Sequence, residues 1–204
     1  MLDKPATALI RPAVDALARG LARLGVSANQ VTLAAFATGI FAAYLIACSS
    51  YIEGLLAILL SRTLDALDGA VARQSQATDA GGFLDISLDF LFYASIPLAF
   101  ALSHPLQNAL PAAVLLAAFV GTASSFLAFA ILAAKRGLQS DAYPHKSFYF
   151  LGGLTEATET LACFAAMCLW PRYFPELAYG FAVLCAITIT TRVVGGYLTL
   201  RRTT

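Results

Sequence analysis

Four aspartates within apolar segments of the chain are spaced so that their carboxylates could act together. Asp65 and Asp68 are three residues apart, and Asp85 and Asp89 are four apart. On an α-helix these spacings put both members of a pair on one face, with Cβ atoms about 5–6 Å apart. Four carboxylates that converge in a medium of low dielectric repel one another, and a divalent cation relieves that repulsion. An all-oxygen ligand set is typical of Mg²⁺, Mn²⁺ or Ca²⁺ rather than zinc, so the spacing predicts a hard-metal site.

The residues beside the aspartates indicate that the site also takes a ligand. Gly69 follows Asp68 directly, and Gly81 opens the segment that carries the second pair. Small residues allow a helix or a ligand to approach the backbone closely. Arg73 adds a guanidinium at the mouth of the cluster, where it can bind a phosphate through two hydrogen bonds.

The elements that must position these residues are apolar helices. Of the 204 residues 59% are hydrophobic and 12% are charged, whereas ordinary soluble domains have about 25% charged residues. A membrane helix needs about 20 mostly apolar residues. Six candidates occur, at 29–48, 53–73, 81–103, 108–134, 148–170 and 177–200. We therefore expect an all-α integral membrane protein with six transmembrane helices, in which charged residues inside the spans are functional.

The segment before the first span is amphipathic. Four charged residues recur every fourth position on one side of residues 6–24, and leucines fill the other side. The charged residues are Arg11, Asp15, Arg19 and Arg23. This pattern favours a helix in the headgroup plane; the alternative is a solvated helix packed on the rest of the protein. We divide the chain into an amphipathic juxtamembrane helix at 1–27 and a six-helix membrane domain at 28–204. Gly25 is expected to end the amphipathic helix, and Ser27 or Asn29 to cap the first span.

Lysine and arginine lie at alternate ends of the predicted spans. Ten of them fall at the two termini, in the loop near 74–80 or in the loop between the fourth and fifth spans. These are Lys4, Arg11, Arg19, Arg23, Arg73, Lys135, Arg136, Lys146, Arg201 and Arg202. Arg172 falls on the opposite side. Because cytoplasmic loops carry the excess of positive residues, both termini are expected in the cytoplasm, on the same side as the aspartates.

The aspartates also form a longer motif that resembles a known signature. The run from Asp65 to Arg73, followed by Gly81, Asp85 and Asp89, is similar to D-x-x-D-G-x-x-A-R, a spacer, then G-x-x-x-D-x-x-x-D. This is the signature of the CDP-alcohol phosphatidyltransferases (class I), and the chain looks closest to a bacterial inner-membrane branch of that family. The spacer here has seven residues, whereas eight is usual.

The resemblance implies an activity, a cofactor and roles for individual residues. The protein would transfer a phosphatidyl group from CDP-diacylglycerol to a small alcohol acceptor, with release of CMP, in phospholipid biosynthesis. Asp65, Asp68 and Asp85 would hold Mg²⁺ or Mn²⁺, as a pair of ions, and Asp89 would bind metal and act as the general base. Contacts to the CDP moiety are implied for Asn29, Thr32, Gly69, Arg73, Thr78 and Gly81. The family is usually homodimeric. The net charge of +1 says little about partners, and we expect no nucleic acid among them.

A second polar group lies later in the chain. Lys146, Glu156, Glu159 and Arg192 lie in or near the fifth and sixth predicted spans. They are candidates for binding the acceptor, such as glycerol 3-phosphate or an inositol phosphate. Alternatively, Lys146 only follows the charge topology and the glutamates neutralise Arg192. Arg62 has the same two interpretations, since it either binds a phosphate or pairs with an aspartate one turn away.

Intramembrane carboxylates also occur in cation- or proton-coupled transporters, which is the main alternative. Many transporters have repeated halves with broken helices at matching positions, and no such repeat is evident in this sequence. Release of CMP from a CDP-linked lipid distinguishes the two functions.

Overall fold

A computed structural model describes residues 14–74, 78–137 and 154–202, and the regular structure within them is helical throughout. The first helix, α1, covers residues 14–23. The others are α2 (Ala28–Ala47), α3 (Tyr51–Gln74), α4 (Asp79–Ser103), α5 (Pro105–Lys135), α6 (Ala157–Leu169) and α7 (Phe174–Arg202). A 3₁₀ turn at Pro171–Tyr173 joins α6 to α7.

Four helical segments of the described residues are long and apolar enough to cross a membrane. They are Ala28–Ala47, Asp79–Ser103, Pro105–Lys135 and Pro171–Arg201, and they correspond to the first, third, fourth and sixth predicted spans. Helix α3 falls short in hydropathy because Glu53, Arg62, Asp65, Asp68 and Arg73 lie along it.

The fifth predicted span differs from the structure in its length. Helix α6 has 13 residues and is about 20 Å long at 1.5 Å per residue, whereas the hydrocarbon core of a bilayer is about 30 Å thick. Residues 154–156 precede this helix in non-helical conformation. Residues 148–153 of the predicted span lie outside the described part of the chain.

Helix α2 packs against both α3 and α4, and α5 packs against α4 and α7, while α6 contacts α3 and α7. Aromatic side chains fill the centre, where Phe92, Phe100, Phe164 and Phe174 are fully buried. The rings of Phe100 and Phe174 stack with centroids 4.6 Å apart. Because α4 is fixed in this way along its second half, the aspartates on its first half have a defined position relative to α3.

Two caps define the corner between α1 and α2. Gly25 has a φ of +76°, and the backbone N–H of Val26 donates to the carbonyl of Leu21 (3.1 Å), as in a Schellman motif. The Ser27 side chain accepts from the N–H of Gln30, whose own side chain accepts from the N–H of Ser27 (2.9 Å). The predicted helix end at Gly25 and the cap at Ser27 are both confirmed.

Helix α1 is packed on one face and open on another. Ala18 is fully buried and lies against Ala70 and Val71 of α3. Leu17 and Leu24 are 58% and 80% exposed. Helix α1 therefore lies along the end of α3 that carries the acidic motif. The side chains of its two exposed leucines are not covered by the described residues.

Candidate active site

Helices α3 and α4 bring three carboxylates together. Asp65, Asp68 and Asp85 each offer an oxygen, and these three atoms lie within 4.8 Å of one another. The i, i+3 pair on α3 supplies two of them, and the first aspartate of the α4 pair supplies the third. We call these three residues the acidic cradle.

The acidic cradle contains a buried oxygen that has no partner within the described residues. Asp68 is 5% exposed, and its Oδ2 makes no hydrogen bond there. The hydroxyl of Thr32, on α2, lies beside the same carboxylate. Buried polar atoms are nearly always paired in folded proteins, and an ionised carboxylate can only accept. A divalent cation would supply the partner that Asp68 Oδ2 lacks, and the oxygen-only donor set suits Mg²⁺ or Mn²⁺.

The fourth aspartate lies outside the acidic cradle. Asp89 accepts a hydrogen bond from Arg62 Nη1, and the same nitrogen is 3.5 Å from Asp65 Oδ1. The guanidinium also lies 3.9 Å above the ring of Phe92. Of the two sequence-based interpretations of Arg62, pairing with aspartate is the one that these contacts match.

The start of α4 gathers three of the residues implied in binding CDP. Thr78 caps the helix, and its Oγ1 accepts from the N–H of Gly81 (3.1 Å). A Cβ added at Gly81 would lie 3.0 Å from Asn29 Oδ1 and 3.2 Å from Thr78 Oγ1. Glycine therefore lets Asn29, at the start of α2, approach the first turn of α4 this closely, whereas a larger residue would require the Asn29 or Thr78 side chain to shift.

Gly69 and Arg73 lie on the last turns of α3. A Cβ added at Gly69 would meet only Arg73 Nη1, at 3.5 Å. The Arg73 side chain is 59% exposed, and its Nη2 is 3.8 Å from Asp15 Oδ1 of α1. Open space beside Gly69 and an accessible guanidinium suit a phosphate-bearing ligand. Sequence reasoning did not single out Asp15 as a partner of Arg73; the charge period of α1 was its only signal.

The two glutamates lie at the start of α6 rather than inside a long span. Glu156 is the N-cap residue, with φ −98° and ψ −175°, and its N–H donates to Glu159 Oε2 (3.2 Å). Carboxylates are favourable at a helix N-terminus because the unpaired N–H groups and the helix dipole attract them. This local role was missed because the predicted helix began at residue 148. Lys146 lies outside the described residues.

Arg192 of α7 is 9% exposed. Its Nη1 donates to the carbonyl of Thr122 (3.4 Å), and its guanidinium is 5.8 Å from the ring of Phe126. One turn earlier, buried Thr188 accepts from the Thr155 N–H (3.2 Å) and from the Thr155 hydroxyl (3.0 Å). Thr188 thereby ties the segment that leads into α6 to the helix that carries Arg192. Sequence analysis did not identify it.

An apolar groove lies next to the aspartates. It occupies about 320 Å³ between α4 and α5, and Phe90, Tyr93, Leu116, Phe119 and Val120 are among its lining residues. Phe90 follows Asp89 in the chain. Tyr93 is four residues after Asp89 and therefore lies on the same helix face, a spacing that could have identified it from the sequence.

Comparisons with known proteins agree with this arrangement of residues. The family described as CDP-alcohol phosphatidyltransferase matches residues 25–193, and the chain belongs to that family. It is 52% identical over 201 residues to the inner membrane protein YnjF of Escherichia coli (strain K12), covering 98% of each chain. It is also 37% identical over 98 residues to the archaetidylinositol phosphate synthase of Pyrococcus horikoshii, covering 46% of this chain and 52% of that enzyme.

Solved structures of similar fold include the phosphatidylinositol phosphate synthase of Mycobacterium tuberculosis. Its structure with CDP-DAG bound has a TM-score of 0.66 and 20% identity, covering 90% of this chain and 93% of that one. Its complex with manganese and citrate has a TM-score of 0.69 and 22% identity, covering 90% and 88%. At these identities the likeness is evidence for the fold. The family resemblance inferred from the aspartate signature is thus confirmed.

Proposed function

We propose that this protein transfers the phosphatidyl group of CDP-diacylglycerol to an alcohol and releases CMP, in phospholipid biosynthesis. The observation that carries the proposal is the acidic cradle with its unpartnered Asp68 Oδ2, in a chain that bears the family signature. Asp65, Asp68 and Asp85 would hold Mg²⁺ or Mn²⁺, as a pair of ions completed by Asp89. Bound metal would stabilise the charge that develops on the departing CMP.

Asp89 is proposed as the general base. It would accept the proton of the acceptor hydroxyl while the oxygen attacks the phosphorus that carries the lipid. Arg62 now bonds to Asp89 Oδ1, so the acceptor hydroxyl would either displace this partner or bond to the second carboxylate oxygen. Such a base contributes about 10²–10⁴-fold to the rate.

The ends of α2, α3 and α4 form the proposed nucleotide site. Arg73 would contact a phosphate, and open space beside Gly69 would let the ligand approach the helix backbone. Asn29, Thr78 and Gly81 meet on the other side, and Thr32 lies beside Asp68. The groove between α4 and α5 lies next to Asp89 and would hold an acyl chain, because its walls are apolar.

Arg192 is the proposed anchor of a phosphate-bearing acceptor, and Lys146, Glu156 and Glu159 are proposed to take part in binding it. The support is a guanidinium that is almost fully buried and makes a long 3.4 Å hydrogen bond to a carbonyl. The glutamates would contact hydroxyl groups in addition to capping α6. Two similar proteins are synthases of inositol phosphate lipids, which favours inositol phosphate over glycerol 3-phosphate as the first acceptor to test.

We further propose six spans with both termini in the cytoplasm of a bacterial inner membrane. Helix α3 has 24 residues and packs along α2, so it would cross the membrane beside α2. Exposed Leu17 and Leu24 beside exposed arginines of α1 suit a helix at the headgroup level, which gives 1–27 as a juxtamembrane helix before a membrane domain at 28–204. A homodimer is proposed by family analogy.

The decisive experiment measures CMP release. Purified protein in detergent, with Mn²⁺ or Mg²⁺ and CDP-diacylglycerol, is given a panel of alcohols that includes inositol phosphate and glycerol 3-phosphate. We expect release of CMP with at least one alcohol, loss of it in Asp68→Asn, and retention in Asp79→Asn, which removes an exposed carboxylate outside the acidic cradle. No CMP with any alcohol would contradict the proposal and favour a transporter.

A further inference from the structure

One positive charge of the acidic site is supplied by the chain itself. Arg62 Nη1 bonds to Asp89 Oδ1 and lies 3.5 Å from Asp65 Oδ1. The Arg62 side chain is only 10% exposed. The guanidinium therefore occupies the space between an aspartate of α3 and an aspartate of α4, where a cation shared by those two carboxylates would also lie.

Arg62 is held there by contacts that do not involve the aspartates. Its guanidinium lies over the face of Phe92, 3.9 Å from the ring centroid, as in a cation–π interaction. Its Nη2 donates to Ser61 Oγ (3.3 Å), which donates in turn to the carbonyl of Ala35 on α2 (2.7 Å). Arginine stays protonated in proteins. The positive charge of Arg62 is thus held between α2, α3 and α4 by contacts of their side chains and backbone.

This arrangement divides the acidic residues into two unequal positions. The acidic cradle has the unpartnered Asp68 Oδ2 available to a cation. At Asp89 the Oδ1 atom already has a cationic partner. A divalent ion bound through Asp89 Oδ1 must displace Arg62. An ion bound through Asp89 Oδ2 is repelled by the guanidinium a few ångströms away, at an effective dielectric far below that of water.

We infer that Arg62 is an internal counter-ion that competes with a second divalent ion for Asp89, so that the acidic cradle binds one ion tightly and Asp89 admits another only when Arg62 withdraws. Arg62 is a positioning residue in this scheme, because it acts through Asp89. The inference rests on the metal site proposed above. It adds the order in which the two divalent ions bind, which the aspartate signature alone does not specify.

Equilibrium dialysis of the purified full chain against Mn²⁺ in detergent tests this inference. In the native protein we expect one tight site and a second at least tenfold weaker. Arg62→Met should tighten the weaker site at least tenfold, whereas Arg62→Lys, which keeps the charge, should preserve the inequality. Arg172→Met serves as the control, because Arg172 lies near Tyr173 (5.4 Å to the ring) at the other end of the bundle, and its isotherm should match that of the native protein.

The double variant Arg62→Met with Asp89→Asn should not show the tighter Mn²⁺ binding at the weaker site, since that site needs the Asp89 carboxylate. If Arg62→Met does not fold, Arg62→Gln takes its place, because it also removes the charge, and it should tighten the weaker site in the same way. Two equal sites in the native protein, or a weaker site unaffected by Arg62→Met, would overturn the role of Arg62 and leave the metal site standing. A native protein that binds no Mn²⁺ would instead refute the metal site itself.

Discussion

Gly69→Ala separates nucleotide binding from folding at the acidic end of α3. The added Cβ would meet only Arg73 Nη1 at 3.5 Å, an ordinary van der Waals contact with the end of a flexible side chain. Alanine within a helix is about 0.5–1 kcal/mol more favourable than glycine. A chain of this size gains about 2–4 °C in Tm per kcal/mol, so the variant should melt at the native temperature or slightly above it.

The same methyl group should impair use of the donor. If the nucleotide approaches the backbone at Gly69, the Cβ fills space that the ligand needs, and overpacking of this kind costs about 1–3 kcal/mol. Since about 1.4 kcal/mol is a factor of ten, kcat/KM for CDP-diacylglycerol should fall about 5- to 150-fold. If the variant is as stable as the native protein, its low kcat/KM cannot be explained by misfolding.

Kinetics of CMP release at varied donor concentration, together with a thermal melt of each protein in detergent, provide the measurements. Gly82→Ala is the matched control, because an added Cβ there meets nothing within 4 Å. We expect native kinetics for this variant, whereas a general requirement for glycine near the motif predicts a loss of activity. A native kcat/KM for Gly69→Ala, or equal losses in both variants, would refute the assignment of Gly69 to the nucleotide site.

Three further outcomes are expected. Asp89→Asn should lower kcat by about 10²–10⁴-fold without unfolding, because Arg62 keeps Asp65 as a partner; near-native turnover would refute the role as base. Chelation by EDTA should abolish CMP release, and Mn²⁺ or Mg²⁺ but not Zn²⁺ should restore it; unchanged activity in EDTA would rule out metal dependence. Thr188→Val should lower the free energy of unfolding by about 1–3 kcal/mol, since two part-buried N–H groups lose their acceptor. Thr190→Val, on an exposed face, should be neutral in the same denaturation assay.

The sequence was sufficient to predict that Asp65, Asp68 and Asp85 lie together, because helical spacing is local. Separations of three and four residues determine which carboxylates share a face, and a short connection near residues 74–80 brings α3 back towards α4. Position along the chain does not determine which of several nearby charges pair. The i, i+3 neighbour of Arg62 is Asp65, yet its closer partner is Asp89 on the next helix, a choice made by the packing of Phe92 under the guanidinium.

The later polar group was harder to interpret because hydropathy averages over a window. Leu154 and Thr155 lie among apolar residues, and a window that includes them predicts a continuous span. Their N–H groups instead donate to Thr188 (3.1 and 3.2 Å), a partner 34 and 33 residues away that no local pattern reveals. The helix then begins at Ala157, with Glu156 as its cap.

The positions of the two polar groups suggest why a single chain needs both. At the acidic site the chain supplies negative charge and one internal counter-ion, which suits a ligand that arrives with metal and phosphate. Around Arg192 it supplies a buried guanidinium whose Nε has no hydrogen-bond partner within the described residues. A buried arginine is costly unless its donors are satisfied, so a phosphate-bearing acceptor would stabilise α7 as it binds. Addition of the correct acceptor should therefore raise the Tm of the native protein, and Arg192→Met should abolish that rise while leaving Mn²⁺ binding intact; an equal rise in the variant would show that the acceptor binds elsewhere.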